Sequence, residues 1–197
     1  TDNGKMSKSK GEFLTVSLLE QKGYDPMAYR LFCLQSHYRR NLVFSWENLD
    51  NAVAAYDKLV AKIAALKNDG DVDQEAFGKL KERFVNALNG DLNTSVAVTA
   101  LYDVLKAKCN DATKLYALKD FDQVLSLNLL SAAEKLNKAK AEEEAANADP
   151  EIDALVAART EAKKAKNFAE ADRIRDELKA RGIEIIDTPQ GTKWRKV

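Results

Sequence analysis

Residues 46–63 read WENLDNAVAAYDKLVAKI and carry a regular apolar repeat. The large apolar residues recur every three or four positions, which on a helix places them on one face. They are Leu49, Val53, Tyr56, Val60 and Ile63. Phe44-Ser45 comes directly before the first turn, and serine is a favoured helix N-cap. The stretch therefore predicts an amphipathic helix with one buried stripe.

The same periodicity continues to about residue 130, interrupted by turn signals at residues 68–71 and 89–90. The expected core residues are Phe77, Leu80, Phe84 and Leu88, then Val98, Leu101, Val104 and Leu105, and finally Leu115, Leu118, Val124 and Leu125, with Phe121 nearby. Asn93 lies in a stretch suited to an N-cap. Together these segments predict four or five amphipathic helices in an antiparallel bundle.

The segments before this bundle also predict helices. Residues 16–22 have a helical pattern that Gly23 ends, and Asp25-Pro26 supplies an N-cap and a first-turn proline for a helix reaching about Ser36. The basic run His37-Tyr38-Arg39-Arg40 follows.

The composition changes after residue 130. Residues 131–149 are rich in Ala, Glu and Lys, which is typical of a semi-rigid helical spacer or a partly ordered linker. Residues 150–197 predict two helices, then a strand at Ile183–Ile186, a turn at 187–192 and a second strand at 193–196. The fold class is therefore mainly α, with a helical bundle followed by a small α+β unit.

Bulk composition indicates a water-soluble protein of 197 residues with 31% charged and 45% hydrophobic residues. No apolar run approaches the roughly 20 residues that span a bilayer, and the first residues lack the apolar segment of a signal peptide. Cys33 and Cys109 lie far apart, which favours a reducing cytoplasm over a disulfide framework. The net charge of zero divides into +3 for residues 1–45, −5 for 46–150 and +2 for 151–197. Such a distribution suits a protein that contacts a polyanion at two separated places.

Residues 5–11 read KMSKSKG, a polar run between Gly4 and Gly11. Lysines and hydroxyls are donors, and glycines allow the backbone to move, so the run suits a mobile loop that closes over a polyphosphate. A basic N-terminal tail is the alternative interpretation. Residues 5–9 match the KMSKS signature of class I aminoacyl-tRNA synthetases.

Further motifs follow in order along the chain, and together they resemble the C-terminal part of a cysteinyl-tRNA synthetase. The matching segments are Gly11-x-Phe13-Leu14-Thr15; Tyr24-Asp25-Pro26; Ser36-His37-Tyr38-Arg39; Phe44-Ser45 with Glu47-Asn48-Leu49; Asp91-x-Asn93-Thr94; Arg159, Ala162 to Lys166, Phe168, Ala171-Asp172 and Ile174-Arg175-Asp176; and Gly182-Ile183, Asp187-Thr188-Pro189, Gly191-Thr192 and Trp194-Arg195. Glu12 departs from the family, which usually has asparagine at that position.

The resemblance implies five segments with separate roles. These are a KMSKS loop and following helix at 1–22, a linking segment at 23–48, an anticodon-stem bundle at 49–130, a linker at 131–149 and an anticodon-recognition unit at 150–197. The family's nucleotide-binding fold, HIGH motif and zinc ligands would precede residue 1. We therefore expect these residues alone to show no cysteine-dependent ATP–pyrophosphate exchange.

The resemblance also implies the chemistry of the parent enzyme. ATP, with magnesium, activates cysteine to cysteinyl-adenylate, and tRNA(Cys) then accepts the cysteinyl group. Lys5 and Lys8 would be the catalytic cations, and Lys5, Met6, Ser7, Lys8 and Ser9 would form the ATP-closing loop. The expected protein is a cytoplasmic monomer.

The predicted tRNA contacts fall in two regions. Arg39 and Arg40 would bind phosphates, with an interdomain salt bridge as the alternative. In the C-terminal unit, carboxylates can accept from the anticodon guanine, and rings can stack on bases. The predicted residues there are Lys163, Phe168, Asp172, Asp187, Trp194 and Arg195, with Lys196 as a further phosphate contact. The alternatives are a surface salt bridge from Asp172 to Arg175 or Lys179, and core packing for Phe168 and Trp194.

Other functions remain open at this point. Cys33 and His37 lie four residues apart on a predicted helix. Two ligands are too few for a metal site, and no third group completes a catalytic dyad, so no metal is expected. A helical protein-interaction module would not require the matches at residues 151–197. A ligase that joins cysteine to a sugar amine would have no use for an anticodon unit.

Overall fold

The computed structural model describes residues 15–146, 149–188 and 191–196, and it divides into two compact units, 1–137 and 138–197. Within the described residues the chain is mainly helical and ends in a two-stranded hairpin. The elements are α1 (Val16–Gln21), α2 (Pro26–Leu34), α3 (Trp46–Ala64), α4 (Gln74–Asn89), α5 (Thr94–Lys106), α6 (Asp111–Leu125), α7 (Leu129–Ala146), α8 (Pro150–Lys164), α9 (Phe168–Ala180), β1 (Ile183–Thr188) and β2 (Gly191–Lys196). The predicted fold class is confirmed.

Side-chain N-caps fix where most helices begin. A short polar side chain accepts a hydrogen bond from a backbone N–H of the first turn, which otherwise has no partner. The caps are Thr15, Asp25, Ser45, Asp73, Asn93, Asn110, Asp149 and Asn167 for α1 to α6, α8 and α9. The predicted caps Asp25, Ser45 and Asn93 are among them.

The first unit is built on the predicted apolar stripes. Leu49, Tyr56 and Ile63 are buried on α3, and the rings of Phe84 and Phe121 stack with centroids 4.1 Å apart between α4 and α6. Val124 was predicted in this core but is 55% exposed. Neighbouring positions of α6 fill that side of the bundle, since Phe121 and Leu125 are buried.

The turn between α6 and α7 is held by side chains from three helices. The Asp122 carboxylate accepts the backbone N–H groups of Leu127 and Leu129 at 2.6 and 2.8 Å. Arg30 of α2 donates to the carbonyl of Leu125 at 2.6 Å, and Tyr56 of α3 donates to the carbonyl of Leu127 at 2.9 Å. Burial, more than any other cause, raises the pKa of the Tyr56 hydroxyl. The hydroxyl therefore stays protonated and can donate this hydrogen bond. The turn therefore joins α2, α3, α6 and α7.

The Ala/Glu/Lys stretch is helical through residue 146 as part of α7. Two alternatives were predicted for this stretch, a helical spacer and a partly ordered linker. The structure shows the helix up to residue 146. Its beginning belongs to the first core, because Leu129 and Ala133 are buried. Asn137 also donates to the carbonyl of Ala64 at 2.9 Å. The division between the two units falls directly after Asn137.

The second unit has its own small core. Ile152 and Val156 of α8 pack with Ile174 and Leu178 of α9 and with Ile183 of β1. Strands β1 and β2 pair antiparallel, with Ile185 opposite Trp194 and Glu184 opposite Arg195. With so few large buried groups, polar contacts carry a larger share of the stability of this unit.

The expectation that Cys33 and His37 share a helix is wrong. Helix α2 ends at Leu34 with Gln35 as its C-cap, so His37 lies in the following turn. The His37 Nδ1 atom accepts the backbone N–H of Arg39 at 3.2 Å instead. Across the described residues, no helix is long and apolar enough to span a bilayer.

The α6–α7 turn gives a stability prediction. We expect Asp122→Ala to lower the free energy of unfolding of the first unit by about 2 kcal/mol, because two backbone donors lose a charged acceptor. The chain has two tryptophans, Trp46 and Trp194. Urea unfolding followed by Trp46 fluorescence in a Trp194→Phe background reports on the first unit alone.

Asp120→Ala is the matched control. Asp120 is also on α6, but its carboxylate forms a surface ion pair with Lys81 at 3.1 Å. A surface pair contributes less than about 1 kcal/mol. Equal destabilisation by both substitutions would show that the turn does not depend on Asp122.

Candidate nucleic-acid interface

Two contacts with α8 determine which parts of the C-terminal unit lie at the same end. Near the end of α8, the Thr160 hydroxyl oxygen is 3.5 Å from that of Thr192 in β2. Near its beginning, Arg181, which follows α9, is 3.5 Å from Glu151. The beginning of β2 and the α8–α9 connection therefore lie at one end of the unit, and the end of α9 lies at the other.

Four of the predicted contact residues belong to the first of these ends. Lys163 is one turn beyond Thr160, and Phe168 is the first residue of α9. Asp172 follows Phe168 by one turn. Asp187 pairs with Thr192 in the hairpin register, although its side chain lies outside the described part of the structure.

Phe168 is the most exposed large apolar side chain in the described residues, with 63% of its surface accessible. Asn167 directly before it caps α9 by accepting the backbone N–H of Glu170 at 3.3 Å. Lys166 has a left-handed backbone with φ of 57°, which turns the chain sharply between α8 and α9. The core alternative for Phe168 does not hold in this structure, since the ring faces solvent.

The two flanks of α9 differ in charge pairing. On one flank, Arg173 lies 2.7 Å from Glu170 and 3.4 Å from Glu177, and Arg181 lies 2.9 Å from Glu177. The hydrogen bond from Arg173 lowers the pKa of Glu170 below its usual value. This flank is a continuous ladder of ion pairs, which suits a solvated face.

The other flank contains Phe168, Asp172 and Arg175, which helical spacing aligns. The Asp172 carboxylate lies 3.1 Å from the Arg175 guanidinium, with side chains 62% and 52% exposed. The salt-bridge alternative for Asp172 is thus present in this structure. Because exposed pairs contribute only about 0–1 kcal/mol, the carboxylate can exchange this partner for another donor at little cost.

Trp194 and Arg195 differ in their surroundings although they are adjacent. Trp194 packs against the core of the unit, and its indole N–H donates to Asp153 of α8 at 2.7 Å. Arg195 is exposed and donates to Glu184 on the neighbouring strand at 2.6 Å. Trp194 is partly buried against this core, so the core alternative accounts for part of its surface.

The predicted contacts Arg39 and Arg40 belong to the first unit. Arg39 forms an ion pair with Asp91 at 2.9 Å, and Arg40 is exposed beside it. The KMSKS residues Lys5, Met6, Ser7, Lys8 and Ser9 lie outside the described residues. Within residues 15–146, 149–188 and 191–196, no group of three or more His, Cys, Asp or Glu side chains could hold a metal ion.

Several polar partners were not predicted from the sequence. Asp153 and Thr160 hold β2 onto α8, and Asp91 binds Arg39 across 52 positions. In the sequence, Asp91 stood out only as part of the segment Asp91-x-Asn93-Thr94. A contact over such a separation leaves no signal in local periodicity, so none of the three could be found from spacing.

The C-terminal unit is similar to a known class of domains. Residues 145–195 match the family model of the cysteinyl-tRNA ligase anticodon binding domain. The match covers most of the C-terminal unit, which carries the exposed Phe168 ring beside the Asp172 carboxylate.

The whole chain is similar to curated cysteine–tRNA ligases. It is 42% identical to that of Novosphingobium aromaticivorans, 37% to that of Brevibacillus brevis and 38% to that of Caldicellulosiruptor saccharolyticus. These alignments cover 98%, 99% and 100% of this chain but 40%, 44% and 44% of the relatives. The chain is thus related along its length to the cysteine–tRNA ligase family, which confirms the resemblance seen in its motifs, and it spans less than half of these relatives.

The Trp194–Asp153 bond gives a prediction about the hairpin. We expect Asp153→Ala to destabilise the C-terminal unit by about 1 kcal/mol, because the indole donor loses a charged acceptor. Asp153→Asn keeps an acceptor and should retain most of the stability. Amide hydrogen exchange of β1 and β2, measured by NMR, reads out the change.

A double-mutant cycle tests the same contact. The effects of Asp153→Ala and Trp194→Phe should not add, since each removes the same bond. Strict additivity would mean that the indole and the carboxylate stabilise the unit independently.

Proposed function

We propose that this chain is the tRNA-binding part of a cysteine–tRNA ligase and that its C-terminal unit reads the anticodon of tRNA(Cys). The observation that carries the proposal is the exposed Phe168 ring one helical turn from the exposed Asp172 carboxylate. Single-stranded RNA is recognised by stacking of unpaired bases on rings and by hydrogen bonds to base edges. The match of residues 145–195 to an anticodon-binding family supports the same assignment.

The proposed contacts follow from the chemistry of guanine, the first base of the cysteine anticodon. Its Watson–Crick edge presents N–H donors, and a carboxylate accepts from them. Asp172 and Asp187 are the proposed acceptors, and Phe168 is the stacking ring. Lys163, at the same end of the unit, would bind a phosphate or a base acceptor.

Binding would require small local exchanges of partner. Asp172 would move from Arg175 to guanine, and Arg195 would move from Glu184 to a phosphate. Both present pairs are exposed, so each exchange costs little. We assign Trp194 the role of holding β2 on α8 through Asp153, in place of direct stacking.

The bundle is proposed as the platform for the anticodon stem. The bundle lies within residues 46–150, which together carry a net charge of −5, so RNA contacts are expected at restricted positions. Arg39 and Arg40 are the proposed phosphate contacts in the first unit. Lys196 would add a further phosphate contact at the hairpin.

For the complete ligase we propose ATP, magnesium and L-cysteine as further partners, and a monomer in the cytoplasm. Lys5 and Lys8 would neutralise charge on the ATP phosphates, with Met6, Ser7 and Ser9 completing the loop. Cations directed at charge that develops in the transition state contribute a few kcal/mol. The zinc of the parent enzyme would be held outside these 197 residues.

Phe168 gives the first binding prediction. Phe168→Ala should weaken binding of an anticodon stem–loop of tRNA(Cys) by about tenfold, since one base–ring stack contributes roughly 1–3 kcal/mol. Phe168→Leu keeps apolar bulk without the ring and should recover only part of the affinity. Fluorescence anisotropy with labelled RNA measures the dissociation constants.

The wild-type chain must also distinguish RNAs. A stem–loop whose first anticodon guanine is replaced by adenine should bind more weakly than the cognate one. Equal affinity for the two RNAs at low salt would refute anticodon reading and would favour a protein-interaction module or a ligase acting on a non-tRNA amine.

Asp172 gives the second binding prediction. Asp172→Asn should reduce the preference for guanine over adenine at the first anticodon position by about tenfold, because the amide is a poorer acceptor and a wrong base pairing costs roughly 1–3 kcal/mol. Asp176→Asn is the matched control, since Asp176 is also exposed on α9 and lies 3.5 Å from Arg175. The same loss in both variants would indicate an effect of charge alone.

A further inference from the structure

Asp91 of the α4–α5 connection is surrounded by three consecutive residues of one turn. Its Oδ1 atom accepts the Tyr38 hydroxyl at 2.7 Å and Arg39 Nη2 at 3.1 Å. Its Oδ2 atom lies 2.9 Å from Arg39 Nε and 3.8 Å from His37 Nε2. The whole group belongs to the first unit, so one carboxylate joins the segment after α2 to the middle of the bundle.

Two nitrogens of the Arg39 guanidinium face the Asp91 carboxylate. Nη2 donates to Oδ1, and Nε lies 2.9 Å from Oδ2 while its N–H donates to the Tyr38 hydroxyl at 3.0 Å. A phosphate group binds arginine on the same edge of the guanidinium. Asp91 therefore occupies the position that an RNA phosphate would take. The side chains of Arg39 and Asp91 are 68% and 47% exposed, so solvent and ligand can reach the pair.

The turn that presents Asp91 has an unfavourable backbone. Asp91 and Leu92 have φ of 61° and 51°, and a leucine rarely adopts this left-handed region. Leu92 is also 62% exposed, so burial of its side chain does not offset the strain. Two backbone bonds hold the conformation, from Leu92 N–H to the Leu88 carbonyl at 2.8 Å and from Asn93 N–H to the Ala87 carbonyl at 3.1 Å. Strained exposed turns of this kind cluster at binding sites.

The neighbouring surface combines a ring with cations. Tyr38 is 60% exposed, its ring stacks on His37 with centroids 4.9 Å apart, and the Arg39 guanidinium lies 5.5 Å from its centroid. Arg40 is exposed next to them. Rings and arginine planes together suit a ribonucleotide, with a phosphate on arginine and a sugar or base on the ring. An acidic peptide would use the cations but not the exposed Tyr38 and Leu92.

We propose that Tyr38, Arg39 and Leu92 form a second RNA-contact surface in which Asp91 acts as an internal competitor for phosphate. In the free chain Asp91 holds Arg39 by an ion pair and the hydrogen bond from Nη2. On binding, an RNA phosphate replaces the carboxylate on Arg39, while Tyr38 and His37 remain near Asp91. The inference rests on the proposed tRNA binding. It adds Asp91 as a residue whose carboxylate weakens that binding.

The test is a double-mutant cycle with the full 197-residue chain and a tRNA(Cys) transcript. Asp91→Asn keeps a residue type that tolerates the left-handed backbone and an acceptor for Tyr38, but it weakens the hold on Arg39. We expect its dissociation constant to fall about three- to tenfold at 50 mM salt. Arg39→Ala should weaken binding and reduce the slope of log affinity against log salt by about 0.7 to 0.9, the value for one phosphate contact.

In the Arg39→Ala background, Asp91→Asn should no longer improve binding, because there is no guanidinium to release. Asp120→Asn is the matched control, since it removes one negative charge from another exposed ion pair of the same bundle. An equal gain from Asp91→Asn and Asp120→Asn, or a gain that persists without Arg39, would overturn the proposal. So would an unchanged salt slope in Arg39→Ala.

The outcomes separate this inference from the anticodon proposal. The cycle reads total affinity for tRNA, whereas the anticodon proposal is read from the preference between two stem–loops. If the wild type distinguishes the stem–loops but Asp91 and Arg39 show no coupling, only the second surface is refuted. If coupling is found without anticodon preference, the second surface stands and the assignment of Phe168 and Asp172 falls.

Discussion

The first unit depends on how the chain passes from α6 to α7. A helix end leaves carbonyl and N–H groups without partners, and this end lies inside the bundle, where solvation cannot replace them. Asp122 satisfies the N–H groups of Leu127 and Leu129, while Arg30 and Tyr56 satisfy the carbonyls of Leu125 and Leu127. The bonds arise from different helices, so the turn can form only when the bundle is assembled. Local capping is thereby coupled to tertiary packing.

The second unit is subject to a different constraint, namely its size. Five buried apolar side chains form its described core, which is small for an independent domain. The bond from Trp194 to Asp153 and the contact between Thr160 and Thr192 add polar connections between β2 and α8. These connections use side chains directed toward the core. Phe168 and Asp172 are not needed for packing, so they stay at the surface and are available to a ligand.

The sequence predicted those parts of the structure that depend on near neighbours. Helix starts followed from caps such as Ser45 and Asn93, and the buried stripes followed from periodicity. Val124 was misplaced because periodicity allows several neighbouring faces on α6, and packing against α4 selects one. The role of Asp91 could not be predicted, since its partner Arg39 lies 52 positions away in sequence. Asp122 binds N–H groups only five and seven residues ahead, but these belong to a turn that helical periodicity does not describe. For Trp194 the sequence allowed both a core and a surface position. Only the hydrogen bond to Asp153 of α8, which local sequence does not reveal, places the indole against the core.

Charge pairing links the two surfaces for which RNA contacts are proposed. Asp172 is held by Arg175, Arg195 by Glu184 and Arg39 by Asp91, and all these pairs are exposed. The chain as a whole is neutral, so its net charge gives no general attraction for nucleic acid. A charged side chain that already has a weak ion-pair partner exchanges it only for a ligand group that binds more strongly. Under the proposed function, each exposed pair lowers the affinity of its own surface for any RNA that does not supply a stronger partner.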